Sequence, residues 1–164
     1  PTGSYVITET AVGFDGLIHF YEGYDWLLDT MLSSVIAEYL EWPDTLPFPY
    51  AVNANRELAD MFGGDRFLRG ITISAPGFYG PQGRKLRLET FDSEINGKLA
   101  EFSFRGRKIC NYEMESSAIY GLSGLLGHKA ITACLVIGNR ITGEFINDYK
   151  PAIMDLADRV LKII

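Results

Sequence analysis

The chain has 164 residues, 47% of them hydrophobic, which is enough for one domain with a real core and too few to expect two. Its formal charge of −6 opposes attraction to nucleic acid or an anionic membrane surface, and no apolar run is long enough to span a bilayer, so small molecules or proteins are the expected partners. Cys110 and Cys134 are its only cysteines, far apart and outside any CxxC or Cys/His spacing, which argues against a disulfide framework or a structural metal site and for a reducing, cytoplasmic setting.

Tyr5-Val6-Ile7-Thr8 reads as a strand entered in mid-fold, and with Pro1 in first place an upstream segment is expected. Leu27, Leu28, Met31, Leu32, Val35, Ile36, Tyr39 and Leu40 then recur at helical spacing until Pro43, Pro47 and Pro49 break the pattern. Asn53 can cap a shorter helix carrying Leu58, Met61 and Phe62, closed by Gly63-Gly64. The β-branched run Gly70-Ile71-Thr72-Ile73-Ser74-Ala75 predicts a buried strand, which delivers the chain into the loop Pro76-Gly77-Phe78-Tyr79-Gly80-Pro81-Gln82-Gly83-Arg84. Asn96-Gly97 suggests a tight turn between extended pieces at 86–91 and 99–104. A strand at 108–111 runs into Glu113-Met114-Glu115, and Met114, Ala118, Leu122, Leu125 and Leu126 mark one face of the helix that follows. Residues 130–137 form an apolar run suited to the centre of a sheet, ending at Gly138-Asn139-Arg140. A last helix begins near Pro151 with Ile153, Leu156, Ala157, Val160 and Leu161 on one face. Strands alternating with helices predict a layered α/β fold.

Ligands of α/β folds gather at strand C-terminal ends, so the loops after Ile73, Ile109 and Ile137 are read together as one site. Phe78 offers a flat apolar surface beside Gln82 and Arg84, whose amide and guanidinium match the acceptor–donor–acceptor edge of a uracil; an ordinary surface turn is the competing account. The glycine spacing here lacks the Gly-Lys-Ser/Thr ending of a nucleotide-triphosphate loop. Glu113 and Glu115 either favour the positive end of a helix or include one acceptor for a sugar's vicinal hydroxyls, with Met114 packed on the ring. Arg140 is a solvated end-of-strand residue, a salt-bridge partner or a cation held near the ligand. His19 and His128 have no partnered nucleophile and are given no role.

Phe78-Tyr79-Gly80-Pro81-Gln82-Gly83-Arg84 resembles the base-recognition loop of nucleoside phosphorylases of the uridine phosphorylase type, and Asn111-Tyr112-Glu113-Met114-Glu115-Ser116 resembles their ribose-binding strand–helix junction. Thr8, Asp15-Gly16, His19-Phe20 and Val136-Ile137-Gly138-Asn139-Arg140 are similar to further stretches of that family. The resemblance implies a three-layer α/β/α sandwich around a mixed central sheet, here as a single partial domain over 1–164 whose N-terminal part is absent, with a helical insertion at about 24–49. It implies reversible phosphorolysis of uridine to uracil and ribose 1-phosphate, in pyrimidine salvage, by a cytoplasmic pentosyltransferase with phosphate as co-substrate and no organic cofactor or metal. Phe78 would lie against the base, Gln82 and Arg84 on its polar edge, Glu113, Met114 and Glu115 on the ribose and Arg140 near the ligand, with Arg84 and Glu115 as the catalytic pair.

Purine-directed relatives usually place an Asp after the strand that here ends at Ile137; Gly138-Asn139-Arg140 stands there instead and favours a pyrimidine. The family's phosphate-binding residues match nothing in this chain and are expected upstream. Its enzymes are homodimers or trimers of dimers, and the wide apolar stripe of the 24–49 segment suggests a subunit contact. A nucleoside-binding module without turnover and a purine-directed phosphorylase or nucleosidase relative are the alternatives.

Overall fold

The computed structural model describes residues 1–64 and 66–164. Strand β1 (Tyr5–Gly13) is the axis of a mixed sheet, running well past the short strand expected at its start. On one edge it pairs in parallel with β3 (Leu68–Ser74), which pairs in parallel with β5 (Arg107–Glu113). On the other edge β1 pairs antiparallel with β2 (Tyr50–Asn53) through its C-terminal half and with β6 (Ala133–Leu135) through its N-terminal end. The two-residue β4 (Ser103–Phe104) folds back on β5 as a hairpin. Flanked on both sides, β1 buries even its threonines, whose hydroxyls are satisfied across the sheet: Thr8 bonds Thr72 at 2.7 Å and Thr10 donates to Asn53 at 2.7 Å.

Helices cover both faces. Alternating strand residues Val12, Ala51, Ile71 and Ile73 meet α1 (Thr30–Tyr39) through Leu32 and Ile36, and α3 (Ile95–Glu101) through Ile95 and Leu99. Ala11, Tyr50 and Val52, on the opposite face, meet Tyr120 of α4 (Ser116–Leu125). A third cluster joins Ile7 to Phe62, beyond α2 (Arg56–Met61), to Phe67 and to Leu156 of α5 (Lys150–Leu161). The result is the α/β/α layering expected from sequence.

Several elements differ from expectation. Asp29 starts α1 by accepting from the Leu32 amide at 3.0 Å, leaving Leu27 in a separate short turn. Its stripe divides: Leu32, Ile36 and Leu40 enter the core, while Met31, Val35 and Tyr39 remain exposed. Asn55, not Asn53, caps α2 through the Leu58 amide, because Asn53 ends β2. Asn96-Gly97 lies inside α3 rather than in a turn: Ile95 and Leu99, one helical turn apart, are both buried. The 130–137 run contributes only the short edge strand β6, half exposed, rather than a central strand. In α5 only Leu156 of the expected stripe is deeply buried; Ile153 and Leu161 face outward.

Candidate active site

Because β3 and β5 run in parallel, their C-terminal ends release the 75–84 loop and the Glu113-Met114-Glu115 turn side by side. The main chain stitches them together, as the Ala75 amide donates to the Glu113 carbonyl at 2.9 Å. The third loop arrives differently from expectation. Since β6 is antiparallel to β1, it ends beside Tyr5 at the far end of the sheet, and residues 136–140 carry the chain from there to Gln82. Phe78, Gln82, Arg84, Glu113, Met114, Glu115 and Arg140 all line one open groove of about 1390 Å³.

Gln82 is the fixed point of the 75–84 loop. Its side chain is 98% covered, its Oε1 accepts from Arg140 Nη2, and its main-chain carbonyl accepts from Asn96 at 3.3 Å and Arg140 Nη1 at 3.5 Å. With Oε1 committed to a guanidinium, its Nε2 makes only a long 3.5 Å bond to the Glu113 carbonyl and stays the better placed donor for a ligand. Gly83, at φ +66 and with Ile95 and Asn96 where a Cβ would sit, turns the loop immediately afterwards.

Arg84 does not point along a polar edge. Its guanidinium lies over the Phe78 ring, 3.6 Å from the centroid, occupying the flat surface assigned from sequence to a base. Arg140 sits 4.9 Å from the centre of the Tyr112 ring, and the Tyr112 hydroxyl donates to the Pro81 carbonyl at 2.7 Å, so one tyrosine steadies both sides of Gln82. Burial, and then the nearby Arg84 cation, hold the pKa of Arg140 below its ordinary value. Among the described residues neither guanidinium lies within salt-bridge distance of a carboxylate. Two cations facing a shared groove, with no carboxylate partner among the described residues, form a place for electron-rich acceptor atoms.

The two glutamates of the 113–115 turn divide their work. Glu113 is fully engaged inside the protein: its carboxylate accepts from Ser74 Oγ at 2.5 Å and from the amides of Glu115 and Ser116, each at 2.9 Å. It is the N-terminal lock of α4, as the helix-end account of these carboxylates requires. Glu115 is exposed and, among the described residues, its carboxylate holds only the Met114 amide at 3.2 Å, beside the partly exposed Met114.

Behind α4, Asp15 accepts from the Leu17 amide at 2.6 Å, Tyr50 Oη at 2.9 Å and Ser117 Oγ at 2.7 Å, and Ser117 donates its own amide to Ser74 Oγ at 2.9 Å. Sequence reasoning passed over Ser74, Asn96, Tyr112 and Ser117; only Tyr112 carried a signal, as a large polar aromatic between Asn111 and Glu113. His19 bridges Tyr24 Oη and the Phe48 carbonyl, a local tie away from the groove.

This layering occurs in known proteins. Over its full length (99%) the chain superimposes on a Trypanosoma brucei nucleoside phosphorylase described as showing uridine phosphorylase activity, with a TM-score of 0.82 at 23% identity. The chain has the nucleoside phosphorylase fold. It also matches Schistosoma mansoni uridine phosphorylase in complex with uracil, at a TM-score of 0.55 and 24% identity, again over 99% of its residues. In sequence it is 34% identical over 88 residues to a Thermococcus kodakarensis uridine phosphorylase, a match that covers 50% of this chain and 29% of that enzyme. No family model matches the chain. It spans 57% of the Trypanosoma and 52% of the Schistosoma phosphorylase chain, little more than half in each case.

Proposed function

We propose that this chain carries base and ribose recognition for reversible phosphorolysis of uridine to uracil and ribose 1-phosphate, a pentosyltransferase reaction of pyrimidine salvage in the cytoplasm. The observation that carries this reading is the buried Gln82 amide, held by Arg140 and lining one groove with Arg84, neither guanidinium having a carboxylate partner among the described residues, and with the exposed Glu115 carboxylate. As the C1′–N1 bond breaks, its electron pair moves onto the departing base while a phosphate oxygen takes C1′ from the opposite face. Donors aimed at the base then stabilise the transition state more than the ground state. Gln82 Nε2 and Arg84 supply those donors, and Arg140 adds its charge while holding the Gln82 amide in one orientation. Arg84 leaves the face of Phe78 as the base takes its place. Glu115 accepts from the ribose hydroxyls and holds the sugar for in-line attack, the positioning part of catalysis. The residues that hold phosphate belong to a segment outside this chain, and the working assembly is a homodimer or trimer of dimers.

The test is uridine-dependent uracil release, with and without phosphate, by this chain and by the longest chain encoded in frame with it. Phosphate-dependent release that falls by about 10²–10³ in Arg84→Ala, the usual cost of removing one such donor, supports the reading. The coverage of little more than half a phosphorylase favours a second reading for the isolated chain, a nucleoside-binding module. Uridine binding without release by either chain would establish that one. Release of free ribose in place of ribose 1-phosphate would point to a hydrolase.

A further inference from the structure

We infer that Ser74 is a positioning residue for the sugar-side turn, acting through Glu113; the inference rests on the nucleoside reading above. Ser74 ends β3, has no solvent exposure and does not line the groove, so it cannot touch a ligand. Its hydroxyl accepts from the Ser117 amide at 2.9 Å and donates to Glu113 Oε1 at 2.5 Å. The other Glu113 oxygen accepts the amides of Glu115 and Ser116, which fixes the backbone from which Met114 and Glu115 enter the groove. Without the Ser74 proton, one oxygen of a partly buried carboxylate keeps only the 3.2 Å bond from the Ser116 amide, and the turn is free to follow it. Gln82 meets Glu113 only through the main-chain carbonyl, so the base side is anchored separately by Arg140 and Asn96. Ser74 therefore acts on the sugar and not on the base.

Calorimetry with uridine and with uracil as probes tests this on the longest in-frame chain. In Ser74→Ala, uridine binding is expected to weaken about tenfold, as for loss of one charge-assisted hydrogen bond, with uracil binding changed less than about twofold. Adding Glu115→Gln to Ser74→Ala should cost less than Glu115→Gln costs alone, because both act on one contact. Glu113→Gln, which places an amide group against donors it cannot accept from at both oxygens, provides the same uridine-to-uracil comparison if Ser74→Ala does not fold. Equal weakening of both ligands, or unchanged uridine binding, overturns the inference and leaves the function standing. Wild-type protein that binds neither ligand overturns both.

Discussion

Asp15→Ala is expected to be among the most destabilising single changes away from the hydrophobic core. The carboxylate accepts from three donors on three parts of the chain: the Leu17 amide, Tyr50 Oη and Ser117 Oγ. Leu17 lies where water can replace the lost bond, but Tyr50 is almost wholly buried and Ser117 wholly so, and both hydroxyls would be left without this acceptor. Hydrogen bonds to a charged group contribute about 1.5–3 kcal/mol each, so two of them place the loss at about 3–6 kcal/mol, a large share of a typical domain stability of about 5–15 kcal/mol. Equilibrium urea unfolding followed by tryptophan fluorescence measures it. Tyr50→Phe removes one donor and leaves the carboxylate its other two, so it should cost about 1–1.5 kcal/mol. In the double variant the two losses should fall short of their sum, since they share a bond. A loss below about 1 kcal/mol in Asp15→Ala would refute the claim that this carboxylate fastens α4 to the end of β1.

Burial pushes the thiols of Cys110 and Cys134 up to about 11, so both should alkylate slowly at pH 8, with rates by iodoacetamide labelling that climb only as pH approaches 11. The folded protein holds these protons more tightly than the unfolded chain, so stability is complete below about pH 9 and declines from there to about 11, by up to about 1.4 kcal/mol per pH unit for each thiol. A flat urea midpoint across that window would contradict it. Arg140→Lys keeps the charge but loses the fork that reaches both Gln82 oxygens, so uracil affinity by calorimetry should fall about tenfold, and an unchanged affinity would remove Arg140 from the base site.

Elements set by their own pattern were legible in the sequence. The β-branched run at 70–75 became β3, and the apolar periodicities became α1, α2 and α4 within a few residues. What misled was short-range chemistry read without its surroundings. Asn96-Gly97 has the composition of a hairpin turn, yet the spacing of Ile95, Leu99 and Phe102, all buried, decides for a helix against the sheet. The 130–137 run has the apolar content of a central strand, but part of it serves elsewhere: Ile131, Ala133 and Leu135 pack toward Ile7 and Phe62, while Cys134, Val136 and Ile137 line the groove. Apolar content alone does not distinguish a strand flanked by two others from one that closes a sheet edge.

For the site, the gathering of the named residues in one groove was legible and their states were not. Whether a glutamate is free or consumed depends on donors remote in sequence: Glu113 is taken up by Ser74, 39 positions away, while Glu115 is left open two residues later. Arg84 and Phe78 were separable roles on paper, but in the folded loop an unpaired guanidinium beside an exposed ring settles on its face. The same reasoning explains why Arg140 selects Gln82. A partly buried cation with another guanidinium nearby and, among the described residues, no carboxylate partner requires acceptors, and the buried amide oxygen and main-chain carbonyl of Gln82 supply them. That contact turns the amide's donor end away from Arg140, so the polarity of this part of the groove follows from an electrostatic need internal to the protein.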